Sequence, residues 1–207
     1  MLLIAVADER AAMKERKLDM PATLEVEPPT ITNGVNVTQL MSTIDAIKQD
    51  PALARFKFRA DNRWSGGTRN VATVGSYYGA SAEHERAEPF RFLADEPPVL
   101  CGKDEGANPV EYLLSALSMC VTTSIVAHAA SRGIVIEAVD SQLEGDLDVR
   151  GFLGMSPDVR KGYQAIRMHM RIETDAPAEL LHQLATFSPV HDVVSRSVPV
   201  DLTIETY

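Results

Sequence analysis

Apolar residues first recur at helical spacing between positions 37 and 47, where Val37, Leu40, Met41, Ile44 and Ile47 fall on one stripe. Asn36 is placed to cap this helix and Asp50-Pro51 to end it. A helix with a single apolar stripe must dock on something else. From Phe56 to Leu93 the period drops to that of strands. Phe56-Lys57-Phe58-Arg59 alternates, Ser65-Gly66-Gly67 marks a turn, Arg69 to Tyr78 has the β-branched and aromatic content of a strand, and Phe90-Arg91-Phe92 alternates again.

A glycine-bearing loop, Cys101 to Ala107, leads into a long apolar run. Asn108 is a good N-cap, Pro109 suits the first helical position, and Glu111 stands three after Asn108, as in a capping box. This helix is expected to reach about Arg132, with Gly133 as its stop. Its apolar residues, among them Leu113, Leu114, Leu117, Met119, Val121, Ile125 and Val126, go almost all the way round, which predicts a buried helix.

Two strands follow, Val135 to Val149 and Gln164 to Glu173. The second places Ile166, Met168, Met170 and Ile172 on one face and Arg167, His169, Arg171 and Glu173 on the other, so one face of the sheet meets the core and the other meets water. A helix starts near Pro177, Ser188-Pro189 interrupts it, a short helix resumes from Val190, and Val198 to Glu205 alternates as a final strand. Strands, buried helix, two strands, helix and strand make an α+β protein with helices packed on antiparallel sheet. Residues 1–52 read as a proline-interrupted N-terminal arm, to about position 33, plus a short helix, and residues 53–207 read as the main domain. No Gly-rich phosphate loop is present.

Composition narrows the function classes. A net charge of −9 argues against general affinity for nucleic acid or anionic membrane. Two cysteines are too few for a secreted disulfide scaffold and point to a reducing compartment, with the cytoplasm as the expectation. The apolar start, Met1 to Ala7, lacks a basic n-region and is not read as a signal peptide. No stretch is expected to span a membrane, which takes about 18 charge-poor residues.

Candidate chemistry centres on Cys120, inside the long helix. A cysteine there is either a small apolar filler or a reactive thiol, and spacing alone does not decide. Cys101 could pair with it only by a specific loop path, because Cys120 lies about 18 Å along the helix axis from Asn108. The histidines form no ligand pair and there is no C-x-x-C, so neither a metal nor another cofactor is expected. Arg69, after a Gly-Gly turn, is either a surface charge or a guanidinium held over a thiolate. The acidic pairs Asp95-Glu96, Asp104-Glu105 and Glu144/Asp146 read as solvated faces. Ser188 beside His191 is too little for a serine nucleophile.

The stretch Gly106 to Cys120 resembles the central helix of the OsmC/Ohr family, as do Arg132-Gly133-Ile134, Leu143-Glu144-Gly145, Gly151-Phe152, Ser188-Pro189-Val190-His191, and the early turn from Trp64 to Arg69. The resemblance covers roughly residues 56–207 and implies an OsmC-like fold: an intertwined homodimer, two long central helices packed on antiparallel sheets. It also implies thiol-dependent reduction of organic hydroperoxides. Cys120 matches the attacking cysteine and Arg69 the assisting arginine. The family's resolving cysteine falls on Ser188, with His191 near it at the substrate site, and the glutamate after the helix proline falls on Val110, leaving Glu111 one place later. With no resolving thiol at Ser188, an oxidised Cys120 would depend on an external thiol reductant or on Cys101, in competition with over-oxidation. The alternative is a dimer of the same fold that has lost this chemistry and binds an apolar small molecule at the dimer seam.

Overall fold

The computed structural model describes residues 28–206. The reading of the arm before Pro28 lies outside them. The chain enters as a hairpin, β1 (Ile31–Thr32) and β2 (Val35–Asn36), turned at Asn33 and Gly34 with φ of 53° and 74°. Two successive positive φ values favour an Asn-Gly pair in a two-residue turn. Helix α1 (Val37–Gln49) follows as expected, capped by the Asn36 side chain, which accepts from the Gln39 N–H at 2.9 Å. Its apolar stripe is only half-buried. The hairpin beneath it is tied to the body by Asn33, whose amide donates to the Ile134 carbonyl at 2.9 Å and accepts from the Ile136 N–H at 2.9 Å. One side-chain amide thus imitates a peptide group in a strand ladder.

Six short strands follow: β3 (Lys57–Phe58), β4 (Asp61–Trp64), β5 (Asn70–Val74), β6 (Tyr77–Gly79), β7 (Ala82–His84) and β8 (Phe90–Ala94). They form two antiparallel sheets, ordered β3-β6-β7 and β4-β5-β8. The single strand expected from Arg69 to Tyr78 is therefore two strands in different sheets, broken at Gly75-Ser76, where the chain changes partners. Phe58, Trp64 and Phe90 remain exposed on these sheets.

The long helix α2 (Pro109–Ala130) starts with the expected capping box, Asn108 to the first turn and Glu111 back to the Asn108 N–H at 2.8 Å. It ends two residues short of Arg132, with Gly133 at φ 69°. The expectation that it is buried all round needs correction. Leu117, Val121, Ile125 and Ala129, spaced by four, are buried, whereas Leu113 and Met119 are exposed. The expectation on membrane spans is corrected too: by length and composition α2 could cross a membrane, with a mean hydropathy of 1.6 over its most apolar window. Its buried stripe is instead docked on other elements of the chain, as in a core helix.

Those elements are the hairpin β9 (Ala138–Asp146) and β10 (Ala165–Glu173), joined through the single turn α3 (Val149–Phe152), and helices α4 (Ala178–Ala185) and α5 (Pro189–Ser195). The alternation read in β10 holds. Ile166, Met168, Met170 and Ile172 face the α2 stripe, while Arg167 pairs with Glu144 and Asp146 on the outer face. Leu181 and Leu184 complete the core, each burial contributing about 1.5–3 kcal/mol. The final strand does not form: residues 196–206 carry no regular structure, and Val198, Val200, Leu202 and Ile204 are exposed. Among the described residues β10 pairs only with β9. The architecture is α+β.

Candidate functional site

Cys120 sits past the middle of α2, partly buried, one residue before the buried Val121. It is a free thiol, and so is Cys101. Cys101 is exposed at φ 69°, its N–H donating to the Pro98 carbonyl at 3.0 Å. Its loop is fastened to the end of β8 and does not run back along the helix, so the path that would bring the two thiols together is not taken.

That fastening is done by Asp95. Its carboxylate, 2% exposed, accepts from the Thr68 hydroxyl at 2.6 Å and from the backbone N–H groups of Lys103 at 3.0 Å and Glu105 at 3.2 Å. The Thr68 hydroxyl and these N–H groups hold its carboxyl well below the usual carboxylate range against the opposing effect of burial. Glu96 accepts from the Asn108 side chain, and burial followed by the Asp95 charge pushes its carboxyl up. The reading of Asp95-Glu96 as a solvated face is thereby overturned. An acid between a strand end and a glycine-bearing loop is a usual loop anchor, and this was the available signal.

Arg69 lies in the turn anchored by Asp95. Its Nη1 pairs with Glu105, and its Nε donates to the Ser65 hydroxyl at 3.3 Å. Glu105 is therefore an ion-pair partner and not only a solvated charge. The pair sits before the N-terminus of α2, and Cys120 is twelve residues past Asn108, about 18 Å along the axis. Within one chain the structure brings Arg69 to Glu105 and does not bring it to Cys120. Glu111 is exposed, with its carboxylate committed to the α2 cap. Tyr163 reinforces this end by donating to the Val110 carbonyl at 3.0 Å.

Ser188 and His191 are brought together at the start of α5. Ser188 is fully buried, and its hydroxyl accepts from the His191 N–H at 3.2 Å as the helix cap. Next to it, Phe187 stacks on the His128 ring with centroids 4.3 Å apart, and burial lowers the His128 pKa. His191 also lines an open groove of about 540 Å³ between β10, α2 and α4, with Ile125, Met168, Met170, Leu181 and His182. No β9 residue lines it, so the groove runs along the edge of β10 away from β9. Among the described residues no group of His, Cys, Asp and Glu is arranged to hold a metal.

Residues 102–203 match the family model described as OsmC-like protein. No curated protein matches the chain. Among solved structures, an OsmC-like protein from Mycoplasma pneumoniae is 17% identical, with 68% of this chain and 89% of that one covered and a TM-score of 0.49. An organic hydroperoxide resistance protein OsmC from Legionella pneumophila is also 17% identical, with 68% and 90% covered and a TM-score of 0.42. An OsmC-like protein of unknown function from Vibrio cholerae is 12% identical, with 69% and 93% covered and a TM-score of 0.47.

Proposed function

With residues 102–203 an OsmC-like domain, we propose that the chain is a one-cysteine, thiol-dependent organic hydroperoxide reductase, acting as a cytoplasmic homodimer in oxidative-stress defence. The observation that carries this reading is the place of Cys120, a free and partly buried thiol on the long helix inside the matched residues. The Cys120 thiolate attacks the distal peroxide oxygen and the O–O bond breaks. The alkoxide leaves as an alcohol on protonation, and the sulfur becomes a sulfenic acid. Ser188 cannot form a disulfide. An external thiol then attacks the sulfenic sulfur with loss of water, and a second external thiol reduces the mixed disulfide and restores Cys120.

The arginine of this site is Arg69 of a second copy, since within one chain it lies at the far end of the helix. The exposed apolar side of α2, with Leu113 and Met119, and the exposed aromatic residues of β3 to β8 supply surface for such a pairing. The test is sulfenate trapping at Cys120 with dilute cumene hydroperoxide, with peroxide consumption followed under several thiol reductants. Cys120→Ser should abolish both signals. A wild-type protein that neither forms the sulfenate nor consumes peroxide sinks the reading.

A second reading, a dimer that binds an apolar small molecule, is favoured by the groove beside β10, whose Met168, Met170 and Leu181 are apolar while His182 and His191 supply polar groups. Native mass spectrometry of the purified protein tests it, and an apolar ligand retained at one per chain would support it over the first.

A further inference from the structure

We propose that Glu105, and not Glu111, is the carboxylate that orients Arg69, and that Asp95 is the buried anchor that places both. The inference rests on the reading of Arg69 as the arginine of the Cys120 site. It starts from the carboxylates available to that guanidinium. Glu111 is tied to its own helix through the Asn108 N–H. Glu105 is bound to Arg69 Nη1, while Ser65 receives Arg69 Nε from another side at 3.3 Å. Two of the five guanidinium N–H groups are thus engaged, and the other three remain for a thiolate or a peroxide oxygen.

Asp95 makes this pair a built unit and not a chance surface contact. One carboxylate oxygen holds Thr68, the residue before Arg69, and the other holds the backbone of Lys103 and of Glu105 itself. Both ends of the ion pair therefore hang from one buried group. The loop lies flush against the strand end. A Cβ on Gly106 would stand 2.2 Å from the Leu93 carbonyl oxygen, and one on Gly102 would stand 1.7 Å from that of Glu96. Neither position admits a side chain without moving the loop that carries Glu105.

Glu105 is accordingly a positioning residue, acting on the reaction through Arg69. Two measurements on the full chain test this. The first is the rate of Cys120 sulfenate formation across pH. Glu105→Gln should slow it by on the order of tenfold to a hundredfold, the usual penalty for a misplaced catalytic group. Glu105→Asp should recover part of the rate, and Glu111→Gln should lose less than Glu105→Gln. An unchanged rate in Glu105→Gln, or a larger loss in Glu111→Gln, overturns the proposal. The second is the Arg69 Nη1–Hη resonance, read at low temperature, which needs no turnover. It should be exchange-protected in the wild type and broadened or lost in both Glu105→Gln and Asp95→Asn, and an identical resonance in all three overturns the proposal. A wild type that forms no sulfenate defeats the peroxidase reading, and the resonance then decides the Glu105 pairing on its own.

Discussion

The Thr68 hydroxyl donates to the Asp95 carboxylate at 2.6 Å, joining a turn to a strand end 27 positions later. This bond is the largest influence depressing the Asp95 pKa. A carboxyl whose folded pKa lies below its unfolded value, about 3.9, contributes stability that is complete above that value and is lost as pH falls toward the folded pKa. Asp95→Asn should therefore melt below the wild type at neutral pH, and the gap should narrow once pH drops below about 4. Thermal melts from pH 7 to pH 2.5 measure this, and a constant gap would refute it.

Asn33 is the second point of leverage. Asn33→Ala removes both bonds to the 134–136 segment and places at φ 53° a residue that tolerates the left-handed region less well than Asn. A loss of about 1–3 kcal/mol is expected in the local stability of the hairpin and α1. Amide exchange over residues 31–49 should quicken while the β9–β10 ladder keeps its rates. Asn33→Gly, which tolerates the turn, should lose only the part due to the two bonds.

Ser188 separates architecture from chemistry. Ser188→Ala should weaken the α5 cap by about 0.5–2 kcal/mol. Ser188→Cys places a thiol at the position that the resemblance aligns with a resolving cysteine. On peroxide treatment it should form an internal disulfide with Cys120, with no outside thiol, seen as loss of both alkylatable groups at these positions. Persistence of the sulfenate would place the two Cα atoms beyond the roughly 7 Å a disulfide allows.

The exposed side of α2 makes a statement about mass. The wild type should sediment at twice the chain mass at micromolar concentration, and its melting midpoint should rise with concentration. Met119→Glu changes a side chain that is 62% exposed within one chain, so that chain loses little, yet the assembly should dissociate. A wild type sedimenting as a single chain removes the second copy from the site.

The elements with strong local signals were legible in the sequence. α1 and α2 carry their caps in Asn36 and Asn108, and the alternation of β10 is dictated by water on one face and core on the other. What escaped depends on partners distant in the chain. The Arg69–Tyr78 strand splits because β5 and β6 pair with different neighbours, and α2 is covered on one side only because a single chain holds too little surface for the rest. Residues 198–205 have a strand's alternation and pair with no strand among the described residues. Cys120 and Ser188 could be picked out by resemblance. Glu105 could not, and Asp95 only through its place between a strand end and a glycine-bearing loop, because an acidic pair in a loop looks solvated until the fold brings Thr68, Arg69 and the Lys103 backbone up to it.

The edge of β10 away from β9 also bears on storage. Among the described residues no strand covers it, so its row of N–H and C=O groups is open to another extended chain. Concentrated stocks should accordingly lose material by edge-to-edge association at residues 165–173, and His169→Lys, on the outer face of that strand, should raise the concentration at which the loss begins.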